Sequence, residues 1–118
     1  MAIPASTYIF SGVLDPSDLL DYQIDVSSLL ETGESISTFT LTVPAESVLL
    51  GLTLNTTGGY ATTLASNKIQ FWVSIDPSKQ GNAAFNSVAV LPLELSIVTN
   101  STPARKKQRT VAIQVTHR

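Results

Sequence analysis

Apolar residues recur at every second position along much of this 118-residue chain, and that period commits it to β-structure. In KIQFWVSI, Ile69, Phe71, Val73 and Ile75 fall on one face, with Lys68, Gln70, Trp72 and Ser74 on the other. TVAIQVTHR sets Val111, Ile113 and Val115 against Thr110, Gln114 and Thr116, and SISTFTLTV sets Phe39, Leu41 and Val43 against Thr38, Thr40 and Thr42. Threonine suits the outer positions, because its branched Cβ fits a pleated strand while its hydroxyl faces water. Phe39, Leu41, Ile69, Phe71, Val73, Val111, Ile113 and Val115 are therefore the expected core. SVAVLPLELSIV is long and apolar, but Pro92 has no N–H to give a ladder, which predicts an edge position, a bulge or a break. SDLLDYQIDVSSLLE reads in two ways. It can be a helix through Leu19, Tyr22, Val26 and Leu30, or a strand through Leu20, Tyr22, Ile24 and Val26 with a short turn at Ser27–Glu31. Asp at alternate positions favours the strand.

Turn-forming residues separate these runs, in LDPSD, ETGES, NTTGGY, DPSKQGN and TNSTPARKKQ. Short alternating strands at roughly 10-residue spacing predict an all-β fold, a single antiparallel sandwich of about 7–8 strands. It spans residues 1–118, with 1–14 as an N-terminal arm or first strand. The apolar start MAIPASTYIF is suited to lying against a neighbour.

Charge divides the chain. Asp15, Asp18, Asp21, Asp25, Glu31 and Glu34 crowd the first third, whereas Arg105, Lys106, Lys107, Arg109 and Arg118 are five of the seven basic residues. The net charge of −2 argues against general nucleic-acid affinity. Single-strand binders interleave aromatic and basic residues so that bases can stack, and no aromatic follows Phe85. The basic residues lie between two strand patterns, SIVTN and RTVAIQV, so they are expected on the tip of the last hairpin, facing an acidic protein surface or solvent. The sequence has no cysteine, which removes disulfides and thiolate metal sites. The N-terminus has no basic residue before its apolar part and does not read as a signal peptide. No stretch reaches the roughly 18 apolar residues that span a membrane.

Chemistry-bearing patterns are sparse. His117 is the only histidine, without the partners a triad or metal site requires. The acidic spacing in DPSDLLDYQID lacks the central Gly and distal Glu of a calcium loop. These features predict a protein that is not an enzyme and that needs no metal or cofactor. Trp72 has two readings: one member of a central strand buried on both faces, or an exposed aromatic anchor for a partner protein.

Three stretches carry a family resemblance. LDPSDLLDYQIDVSSLLETGESISTFTLTV resembles the opening of the small immunoglobulin-like virion proteins of tailed bacteriophages. KIQFWVSIDPSKQG resembles their tryptophan-bearing strand, and LELSIVTNSTPARKKQRTVAIQVTHR resembles their closing hairpin. The tryptophan that the family carries in the turn after its first strand is replaced here by Ser28, Leu29 and Leu30. The resemblance implies an immunoglobulin-like sandwich and a role as a capsid-associated decoration or accessory subunit in viral capsid assembly. It implies location in the virion, many copies, and contact with the major capsid protein or another virion protein. Arg105, Lys106, Lys107, Arg109 and Trp72 are the candidate contact residues. The alternative is a tail or fibre module that binds host-surface carbohydrate or a receptor through Tyr60 and Phe85.

Overall fold

The computed structural model describes residues 7–118. The part of the expected N-terminal arm formed by residues 1–6 lies outside the described residues. Eight strands occur among the described residues: β1 Tyr8–Leu14, β2 Leu19–Asp25, β3 Ile36–Thr42, β4 Leu52–Leu54, β5 Thr63–Ala65, β6 Lys68–Ile75, β7 Ala89–Thr99 and β8 Lys106–Val115. One short helix, α1, spans Ala45–Leu49. The strands form two packed sheets, an all-β sandwich. One sheet has the order β1-β8-β7-β3; the other has β2-β6-β4, with β5 also on β6.

The sandwich is mixed, not wholly antiparallel as the sequence suggested. β1 runs parallel to β8, from Tyr8 opposite Val111 to Leu14 opposite Val115. Parallel pairing needs a long connection, and here nearly the whole chain lies between the two strands. The ladder is irregular between Ile9 and Val13. There the Gln114 side-chain amide donates to the Phe10 carbonyl (2.9 Å) and the Tyr22 hydroxyl to the Gly12 carbonyl (3.1 Å). Side chains thus satisfy acceptors for which the ladder offers no strand partner.

The ambiguous segment is the strand β2, followed by a single 3-10 turn at Ser27–Leu29. β7 departs from expectation, since it runs unbroken through Pro92 in the interior of its sheet. Pro92 is tolerated because β3 has already ended where it would pass the proline: Thr42, its last residue, lies opposite Glu94. Beyond that point α1 takes the place of the strand, and the buried Ser47 hydroxyl donates to the Pro92 carbonyl at 2.7 Å. The carbonyl and the missing N–H of one strand residue point to the same side, so no ladder bond is lost.

The core is built from alternating residues of both sheets: Phe71, Val73 and Ile75 of β6 face Leu91 and Leu93 of β7 and Val111, Ile113 and Val115 of β8. A second cluster of Val26, Ile69, Leu95 and Ile97 fills the other end. Six of the eight expected core residues are fully buried; Phe39 and Leu41 are only half-buried, because β3 is an edge strand. Phe85, on the turn Ala83–Asn86, is completely buried and closes one end. Its carbonyl accepts the His117 N–H (2.9 Å) and the Thr116 hydroxyl (3.1 Å).

Candidate functional site

The basic cluster begins in the loop between β7 and β8. Thr99 N–H donates to the Arg105 carbonyl at 2.9 Å, and the Arg105 N–H returns a bond to the Thr99 hydroxyl at 2.9 Å. The loop is also fastened sideways. Asn100 N–H donates to the Ser35 carbonyl (3.0 Å), and its side-chain oxygen accepts the Ser35 N–H (2.9 Å). Asn and Pro residues therefore shape the loop, as the turn signal implied, while the fold docks it against the β2–β3 connection.

Arg105 is half-buried and paired within its own chain. Its guanidinium donates to Glu31 Oε1 at 2.6 Å, and its Nε lies 3.1 Å from Glu34 Oε2, a charge contact without hydrogen-bond geometry. The Glu34 side chain is only 7% exposed. Its carboxyl is held below the usual range chiefly by the Glu31 backbone N–H, then by the Ser101 and Thr99 hydroxyls and by the Arg105 charge. The acidic first third thus supplies a partner within the same chain. The acid pair in ETGE was visible in the sequence, but its cation lies 74 residues from Glu31, a distance that only the fold closes.

The other cations behave differently. Lys106 is exposed and Lys107 half-buried, on opposite faces of β8 as successive strand residues must be. Arg109 is exposed and folds back to donate to the Gln108 carbonyl at 2.8 Å. Among the described residues, both salt bridges belong to Arg105. Among the described residues, Lys106, Lys107 and Arg109 therefore line the first half of β8 as cations that no carboxylate pairs in a salt bridge.

Trp72 fits neither of its two readings. It is half-buried on the outer face of β6, with the Tyr60 ring edge-on to it at 5.2 Å and 74°. Tyr60, 46% exposed, is the aromatic that meets solvent. Beside them the Gln70 amide donates to Asp21 at 2.7 Å. Phe85 cannot serve as a surface aromatic because it is buried. His117 is exposed and packs its ring edge-on to Phe85 at 6.2 Å. Among the described residues no group of three His, Asp or Glu side chains is placed to hold a metal ion, and no helix is long and apolar enough to cross a membrane.

Compared with known proteins, the chain matches no protein-family model and no curated protein.

Proposed function

We propose that this chain is a structural subunit of a tailed-bacteriophage virion, a capsid-associated decoration or accessory protein that works through protein–protein contacts in many copies. The observation that carries the reading is the strand order. An immunoglobulin sandwich joins its second, fifth and fourth strands in one sheet and its third, sixth and seventh in the other. If β4 and β5 count as two halves of one interrupted strand, β2-β6-β4/β5 and β3-β7-β8 follow that order. The order supports an immunoglobulin-like assignment and, with it, the sequence resemblance to small virion proteins. The basic residues Lys106, Lys107 and Arg109, outside any salt bridge among the described residues, supply a surface that an acidic capsid or virion protein would complement, with attraction that weakens as salt rises.

The test is particle association. The full chain, tagged and mixed with phage particles purified without it, should band with them in a density gradient at physiological salt. The variant with Lys106, Lys107 and Arg109 all changed to Glu should fold and fail to band. A wild-type chain that stays at the top of the gradient with every particle type tried would remove the virion reading. Equal banding of the two proteins would remove the basic patch from it.

The exposed Tyr60 ring, with the Asp21–Gln70 pair beside it, favours the second reading of a fibre module that binds carbohydrate. Glycan-array binding that Tyr60→Ala abolishes would support that reading over the first.

A further inference from the structure

We infer that the first half of β8 and the groove beside it form a strand-docking site for an extended, acidic segment of another protein. β1 pairs with β8 only from Val111 to Val115. Among the described residues, Lys106–Thr110 therefore has no strand on the side away from β7, a free edge about 16 Å long.

The backbone groups on this edge can be assigned. The Pro92 carbonyl points away from β8 to Ser47, so Pro92 and Ala112 face each other without exchanging ladder bonds. By alternation, Lys106, Gln108 and Thr110 turn their N–H and C=O groups away from β7, where the Thr110 carbonyl meets β1 at Tyr8 opposite Val111, while Lys107 and Arg109 bond to β7. Two hydrogen bonds agree with that parity. Thr99 N–H reaches the Arg105 carbonyl, and the Gln108 carbonyl is met not by a strand but by the Arg109 guanidinium. Among the described residues, a row of three N–H groups without a strand partner is what an added strand would occupy.

Beside this edge the two sheets part into a groove of about 450 Å³. Ile24, Val26 and Leu29 form one wall, and Leu95, Val111 and Tyr8 the other. It accepts apolar side chains from a strand laid along β8. Charge selects the occupant. Lys106, Lys107 and Arg109 would oppose the same residues of a second copy paired edge to edge, which discourages self-association. Carboxylates on an incoming segment would instead find three cations that no carboxylate pairs in a salt bridge among the described residues. The carboxylate on the groove wall, Asp25, is already engaged by the Ser27 N–H (3.0 Å) and hydroxyl (2.6 Å). The site follows from backbone geometry and does not rest on the virion reading.

The test uses the full chain, ¹⁵N-labelled, with the acetylated peptide Glu-Val-Glu-Val-Glu-Val-Glu as probe and its Lys-for-Glu counterpart as control. Hydrogen exchange is read by NMR. The acidic peptide should bind saturably and slow exchange at Lys106, Gln108 and Thr110 by tenfold or more. Lys107 and Arg109, already bonded to β7, should change little, and the basic peptide should have no effect. Gln108→Pro removes an edge N–H without removing a bond to β7, so it should keep the fold and lose most of the peptide affinity. Lys106→Glu should weaken binding and restore some affinity for the basic peptide. Unaltered exchange at high acidic-peptide concentration overturns the proposal. So does slow exchange at the three amides before any peptide is added, because residues before Tyr8 or a second copy would then hold the edge.

Discussion

Tyr22 shows how one side chain can join packing, hydrogen bonding and titration. Its ring packs between Phe10 (5.0 Å) and Phe71 (6.0 Å), and its hydroxyl crosses to the Gly12 carbonyl in the irregular part of β1. Burial is the main cause that raises its pKa above the ordinary 10.0, with the charges of Asp18 and Asp21 adding to it. Tyr22→Phe keeps the ring and leaves the Gly12 carbonyl without its donor, so the loss should be about 1 kcal/mol in urea unfolding. A loss near zero would mean that water replaces the hydroxyl and that β1 is held by its ladder alone. Glycine is also decisive at one position. Gly51 has φ +90°, and a Cβ there would sit 2.6 Å from the Lys79 Cβ, so the close passage of these two segments requires a residue without a side chain.

The elements divide by how much of their environment the local sequence records. β6 alternates cleanly because one of its faces is buried and the other only half-buried, whereas β8, between β1 and β7, buries Val111, Ala112 and Ile113 in succession. β7 alternates from Leu93 to Thr99, but at Leu91–Leu93 the buried Pro92 sits between two buried leucines, so the period is lost at that end. Phe39 and Leu41 show the limit of the signal: alternation gives the face but not the depth, and an edge strand leaves its inner face partly open. Phe85 was legible as an aromatic in a turn, but its burial depends on Thr116 and His117 arriving from the far end of the chain. The basic residues of the candidate site were legible as a cluster. Their division into one arginine in salt bridges and, among the described residues, three cations outside any was not, because it depends on contacts distant in sequence. β5 and β6 were also hard to separate, since only Ser66 and Asn67 lie between them. Both have positive φ, 52° and 63°, as a type I′ turn requires. Glycine takes that conformation with less strain than asparagine, so Asn67→Gly should stabilise the protein by about 0.5–1 kcal/mol. A lower melting temperature would show that the Asn67 side chain contributes to the turn.

Across the whole molecule, turn carboxylates share one electrostatic design that sets the response to pH. Asp15 is lowered from 3.8 to about 2, first by the Ser17 backbone N–H, then by the Ser17 hydroxyl and the Arg118 N–H. Asp25 is lowered first by the Ser27 hydroxyl and Asp76 first by the Ser78 backbone N–H, while Glu34 is lowered by the Glu31 N–H. Each carboxylate accepts bonds that exist only in the folded chain, so the folded state binds protons less readily than the unfolded state. Their contribution is complete above the unfolded values of 3.8 to 4.5 and is lost as pH falls through the lowered folded values. Tyr22 acts in the opposite direction. Its raised folded pKa keeps stability complete below 10.0, and stability is lost as pH rises beyond that. The melting temperature should therefore be level between about pH 5 and 9, fall below pH 4 and fall again above pH 10. The acid limb joins distant parts of the chain, because Asp15 Oδ2 also receives the Arg118 N–H at 2.8 Å and Glu34 neighbours Arg105. Asp15→Asn should lessen the fall between pH 4 and 2, and Tyr22→Phe should lessen the fall above pH 10. A melting temperature that stays constant down to pH 2 would show that these turns are not held by ionised carboxylates.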